Sequence, residues 1–123
     1  MQPLFAVYGA GGHGREVMPL AREQLRQKGF SIESLVFIDD NPVAEVVNGH
    51  RVLNYNNFLS ESATSRTVVL AIADGFIRAR LAARCLADGI QPWTVRAANV
   101  IAMDSLEMGE GGIFCPFVTI TSN

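Results

Sequence analysis

Leu4-Phe5-Ala6-Val7-Tyr8-Gly9-Ala10-Gly11-Gly12-His13-Gly14 is the stretch that decides the fold. An apolar run ends on a glycine cluster, and Val17, Leu20, Ala21 and Leu25 follow at helical spacing, so the segment reads as strand, glycine turn, helix. Gly9, Gly11 and Gly14 satisfy G-x-G-x-x-G in that context. The first glycine permits a tight turn, the second lets backbone N–H groups approach a pyrophosphate, and the helix N-terminus adds partial positive charge. The same residues also fit a glycine-rich turn that holds no ligand. His13 either donates to a phosphate oxygen or faces solvent. Pro19 is expected to distort the helix, and Lys28-Gly29 to close it.

Outward from this unit, Leu35-Val36-Phe37-Ile38 is a continuous apolar run, as a strand buried on both faces requires. It ends at Asp39-Asp40-Asn41-Pro42, with the two carboxylates 25 and 26 residues after Gly14, where one can accept from ribose hydroxyls or merely cap the strand. Asn48-Gly49 predicts a hairpin-like turn into a minor strand over 50–53, and residues 55–62 a short helix. Residues 67–73 are the strongest predicted strand. Ile77, Leu81, Cys85 and Leu86 then mark the apolar stripe of a helix, with Arg78, Arg80 and Arg84 mainly away from it. Asp74 sits either at the carboxyl edge of the sheet, where ligands bind, or as that helix's N-cap. A further strand over 90–95 completes an alternation of strand and helix, so residues 1–97 read as a small parallel α/β sheet.

Beyond Ala97 the pattern changes. Met108, Phe114 and Ile120 recur at a step of six, as do Leu106, Gly112 and Val118, with glycines at 109, 111 and 112. A six-residue period marks the flat sides of a β-helix, so residues 98–123 read as the start of one. Too few coils are present to stack and cap, and these residues are expected to be poorly ordered or to pair with another chain.

The chain has 123 residues, which allows one domain and the start of a second. Its 49% hydrophobic content is enough to bury a core. A formal charge of -2 without long charge runs disfavours nucleic acid as a partner. Nine of the ten basic residues are Arg, which suits phosphate or carboxylate recognition or reflects base composition. No apolar stretch is long enough to insert in a membrane, and no cationic signal region precedes the first strand, so a cytoplasmic protein is expected. Cys85 and Cys115 lack metal or disulfide spacing and read as reduced, packed thiols; no metal site is expected.

An α/β part of about 97 residues offers one half of a dinucleotide fold, which holds one nucleotide. That favours a diphosphate with a single nucleoside, such as a nucleotide sugar, over NAD.

The ordered series Y-G-A-G-G-H-G, F-I-D-D-N, A-I-A-D-G-F-I-R-A-R-L-A and the hexapeptides from Ala98 resembles the PglD/NeuD-like nucleotide-sugar acetyltransferases of bacterial surface-glycan synthesis. The resemblance implies a Rossmann-like N-terminal domain followed by a left-handed parallel β-helix. It implies that Gly9, Gly11, Gly12, His13 and Gly14 line the diphosphate and sugar of a UDP-sugar, and Asp39 and Asp40 the nucleoside. It implies acetyl-CoA as co-substrate of the full-length enzyme, bound between the β-helices of a trimer, with a β-helix histidine as general base for N- or O-acetylation.

The only histidines here are His13 and His50, and the family's Ile-His-Pro entry to the β-helix is replaced by Val95-Arg96-Ala97. The chain therefore reads as the front of a longer enzyme, without a catalytic residue of its own and with no acetyl-CoA bound. Two other readings compete: a non-catalytic regulatory module that senses a nucleotide through the same loop, and an NAD(P)-linked oxidoreductase fragment. The hexapeptide period argues against the second.

Overall fold

β1 (Leu4–Tyr8) is buried along its whole length and sits inside a six-stranded sheet. A computed structural model describes residues 1–42 and 44–96, with the backbone of 119–120. After β1 come α1 (Gly12–Gln27), a 3₁₀ turn (Ile32–Ser34), β2 (Leu35–Ile38), β3 (Val46–Val47), β4 (His50–Leu53), α2 (Tyr55–Ser60) and β5 (Arg66–Leu70). They are followed by α3 (Gly75–Ala87), β6 (Gln91–Pro92), β7 (Val95–Arg96) and β8 (Thr119–Ile120).

The sheet order is β3-β4-β2-β1-β5-β6, and β7 pairs separately with β8. β1 runs parallel to both neighbours, with Phe5 opposite Leu35 on one side and Thr67 on the other. β4 and β6 extend the parallel sheet, while β3 joins β4 antiparallel. That hairpin turns through Asn48 at φ 50 and Gly49 at φ 84, the doubly left-handed geometry that Asn-Gly favours. Because the chain crosses from β1 to β2 on one side and later to β5 on the other, β1 and β5 form a topological switch point. Ligands of open α/β sheets bind beyond the carboxyl ends of such strands.

Alternate residues of the buried strands feed two cores. Phe5, Val7, Phe37 and Val69 pack with Val17, Met18, Ala21 and Leu25 of α1 on one face. Ala6, Tyr8, Val36, Ile38 and Leu70 pack with Tyr55, Phe58 and Cys85 from α2 and α3 on the other. The result is a small Rossmann-like α/β fold, mostly parallel and covered by helices on both faces.

Four expectations are corrected. α1 runs unbroken through Pro19, whose ring is exposed on the solvent side, where its missing N–H leaves a wet carbonyl rather than a buried one. The strand predicted over 67–73 ends at Leu70, because the backbone beyond turns out to form the rim of the crevice. The strand predicted over 90–95 is two short ones: β6 completes the sheet, Trp93 packs into the α1 core, and β7 leaves the sheet. On α3 the inward stripe is Leu81, Ala82 and Cys85, one turn after Arg78, whose guanidinium reaches back to the Ile72 carbonyl at 2.9 Å. Leu86 and Ile77 are instead 56% and 39% exposed, since α3 meets the sheet with a face rotated from the predicted stripe. Cys85 is a buried free thiol, which burial pushes up in pKa. Cys115 and the hexapeptide segment lie outside the described residues, apart from the β8 backbone.

Candidate functional site

Gly9 ends β1 at φ +114, and its N–H donates to the Ile38 carbonyl at 2.6 Å. A Cβ there would stand 2.8 Å from the Ala71 carbonyl oxygen, so the turn lies directly against the chain leaving β5. A Cβ on Gly14 would fall 1.7 Å from the Gly9 carbonyl oxygen; the first turn of α1 therefore touches the loop backbone. Gly9 and Gly14 are thus packing glycines. Gly11 and Gly12 are different: nothing lies within 4 Å of a Cβ at either, and both are exposed.

α1 opens at Gly11 without a side-chain cap and without an acidic residue in its first turn. Its first intrahelical bond is Arg15 N–H to the Gly11 carbonyl at 2.9 Å, so the amides of Gly12, His13 and Gly14 precede the helical ladder. Such a helix end attracts anions through its amides and its dipole. His13 stands exposed on the same turn.

The two aspartates separate. Successive residues at a strand end point to opposite faces. Asp39 lies on the α1 side, where Oδ2 accepts the Ala10 amide at 3.1 Å and Oδ1 accepts the Asn41 amide at 2.9 Å. Asp40 lies on the α2 and α3 side. Its Oδ2 accepts the Tyr8 hydroxyl at 2.7 Å, its Oδ1 accepts the Tyr55 amide at 2.9 Å, and the Arg84 guanidinium stands 3.7 Å away. Burial acts to raise the Asp40 pKa, but the bonds from Tyr8 and Tyr55 and the charge of Arg84 outweigh it and hold the carboxyl below its usual range.

Arg84 also donates to the Tyr8 hydroxyl and lies 3.9 Å over the Tyr55 ring, while the Tyr55 hydroxyl donates to Asp88 at 2.6 Å. Burial and these carboxylate acceptors push both tyrosines well above ordinary phenol values. This network is a set of matched polar groups that ties β1, β2, α2 and α3 together. Sequence reasoning missed Tyr8, Tyr55, Arg84 and Asp88; only the position of Tyr8, directly before Gly9, hints at it.

Asp74 is the N-cap of α3, accepting the Ile77 amide at 3.0 Å, so the capping alternative describes its geometry. The structure therefore brings the glycine loop, Asp39 and the Ala71–Asp74 rim to one sheet edge, and turns Asp40 into the neighbouring polar network. His50 lies elsewhere, buried, with Nδ1 against the Leu35 carbonyl at 3.1 Å and Nε2 accepting from Arg22 at 3.2 Å. Among the described residues no group of three or more His, Cys, Asp and Glu could hold a metal ion, and no helix is long and apolar enough to cross a membrane.

A half-Rossmann sheet with a glycine turn opening a helix at its switch point defines the class. The sequence profile of the PglD N-terminal domain matches residues 5–85, and the chain belongs to that family. It is 38% identical over 120 residues to the GDP-perosamine N-acetyltransferase of Escherichia coli O157:H7, covering 98% of this chain and 54% of that protein. Among solved structures, WeeI from Acinetobacter baumannii AYE superposes with a TM-score of 0.75 and 39% identity, over 80% of this chain and 45% of that one. The acetyltransferase domain of PglB from Neisseria gonorrhoeae FA1090, in complex with acetyl coenzyme A, superposes with a TM-score of 0.63 and 29% identity over 80% and 46%. The chain spans about half the length of the curated relative it matches.

Proposed function

We propose that this chain is the nucleotide-sugar-binding part of a sugar acetyltransferase. One observation carries the reading: the uncapped start of α1 faces the switch point, and Gly11 and Gly12 leave open space there for a diphosphate. Asp39, held by the Ala10 and Asn41 amides, keeps lone pairs for ribose hydroxyls. The relative named for GDP-perosamine and the acetyl-CoA complex of the PglB domain support this substrate class and co-substrate. These contacts address the diphosphate and ribose, and they suit UDP- and GDP-sugars alike.

In the reaction, a sugar amine or hydroxyl attacks the thioester carbonyl of acetyl-CoA, its proton passes to a base, and the CoA thiolate leaves. His50 is buried with both ring nitrogens engaged, so it cannot serve as that base. The resemblance assigns the base to a histidine on the β-helix, and the same proposal includes the trimer and the cytoplasmic location where nucleotide sugars and acetyl-CoA occur.

The test is thermal denaturation with UDP-N-acetylglucosamine, GDP-mannose, UDP, GDP, NAD and acetyl-CoA added separately. A ligand at about tenfold its dissociation constant stabilises by roughly 1.4 kcal/mol, which moves the midpoint of a domain this size by several degrees. A shift with nucleoside diphosphates or their sugars supports the proposal. A shift with NAD alone overturns it in favour of an oxidoreductase.

A further inference from the structure

Gly29 follows α1 at φ +83, and the Gly29 and Phe30 amides donate back to the Arg26 and Leu25 carbonyls at 3.1 and 3.0 Å. This Schellman turn satisfies carbonyls at the helix end and folds Phe30 back toward Leu25. The Phe30 ring then meets Phe5 at a centroid distance of 5.1 Å, and Phe5 meets Trp93 at 5.2 Å, both pairs tilted. The three rings line a hollow of about 440 Å³, together with Lys28, Thr64 and Gln91. Phe5 and Trp93 are almost closed off by the fold, whereas Phe30 remains 39% exposed. The hollow opens at the amino ends of β1, β5 and β6 and at the last turn of α1. The whole of α1, about 24 Å, separates it from the glycine turn.

We propose that this hollow is a second ligand site, for a small aromatic anion, independent of the nucleotide edge. Its volume falls in the range of about 300–1,000 Å³ typical of small-molecule sites, which are mostly apolar with a few convergent polar groups. Three tilted rings offer faces and edges to a flat ring. Lys28 is the only charged residue on the lining, and no carboxylate opposes it there. The three ion pairs among the described residues all use arginine, so the Lys28 ammonium is left to a ligand. Because the Schellman turn consumes the Leu25 and Arg26 carbonyls, the negative end of α1 is blunted beside it. One ammonium without a helix N-terminus suits a single carboxylate or sulfonate rather than a diphosphate. The Thr64 hydroxyl and Gln91 amide add donors at the rim.

Trp93 is the only tryptophan of the chain, so its emission reports on the hollow directly. Titration with anilinonaphthalene sulfonate should quench that emission saturably, and UDP and GDP should leave the dye in place. Phenylacetate should displace the dye at least about fivefold better than phenethyl alcohol, which has the same ring without the charge. Lys28→Gln should abolish this selectivity and Lys28→Arg should keep it. Lys28 caps α1 through its backbone amide, so both variants retain the fold. Phe30→Ala should weaken the dye at least about fivefold. An absence of saturable quenching, equal displacement by acid and alcohol, selectivity that survives Lys28→Gln, dye affinity unchanged in Phe30→Ala, or displacement by UDP or GDP overturns the assignment.

Discussion

Asp39 Oδ2 accepts the Ala10 amide at 3.1 Å, so the carboxylate that ends β2 also sets the path of the glycine turn after β1. Its second oxygen holds Asn41, and the group is thereby fixed before any ligand arrives. Asp39→Ala should destabilise the fold by about 1–2 kcal/mol through the two lost acceptors and weaken diphosphate binding more than tenfold. Urea denaturation and calorimetry measure the two effects. Unchanged affinity would remove Asp39 from the site.

The four glycines after Ala10 and before it should divide by mutation. Gly14→Ala forces a Cβ to 1.7 Å from the Gly9 carbonyl oxygen and should cost more than about 3 kcal/mol or prevent folding. Gly11, at φ -80 with open space around its Cβ position, should accept Val within about 0.5 kcal/mol while losing nucleotide. A Gly11→Val chain that binds UDP or GDP as well as the wild type does would take the loop out of the site.

His50 should make the fold sensitive to mild acid. Burial and the facing Arg22 guanidinium lower its pKa despite the Leu35 carbonyl, so it stays neutral in the folded chain. The unfolded chain binds the extra proton below about pH 6.5. Stability is therefore complete above that pH and falls as the pH drops toward the folded pKa, by at most about 1.4 kcal/mol per pH unit. His50→Gln should flatten this difference, read by urea denaturation at pH 5 and pH 7.5. Identical pH dependence in the two chains would refute it.

Asp40 predicts a structural phenotype rather than a binding one. Asp40→Ala removes the acceptor of the Tyr8 O–H and a partner of Arg84. It should lower stability by about 1–2 kcal/mol and leave nucleotide affinity within about twofold. Because the folded carboxyl titrates below its usual value, its contribution is present above about pH 4 and disappears as the pH falls through the folded pKa. An affinity loss larger than the stability loss would return Asp40 to the ligand.

The parts of this fold that were legible in sequence are those whose physics is local. β1 and β2 are continuous apolar runs because both their faces are covered, and Asn48-Gly49 names its own turn. The polar network was hidden because its bonds join residues 32, 33 and 76 positions apart, and no period carries such pairs. The α3 stripe was misread because Arg78, a cation, occupies an inward position by bonding a carbonyl. Asp39 and Asp40 looked equivalent as a pair, although the two-residue repeat of a strand already sends them to opposite faces.

Gln24 donates to the Thr94 carbonyl at 3.1 Å and accepts the Arg96 amide at 3.4 Å. It stands twelve residues after Gly12 on α1, about 18 Å along the axis. One end of that rod is jammed against Gly9 through Gly14; the other grips the chain as it departs through β7. α1 is thus a strut of fixed length between the anion-facing turn and the exit of the chain, and its tilt is geared to both.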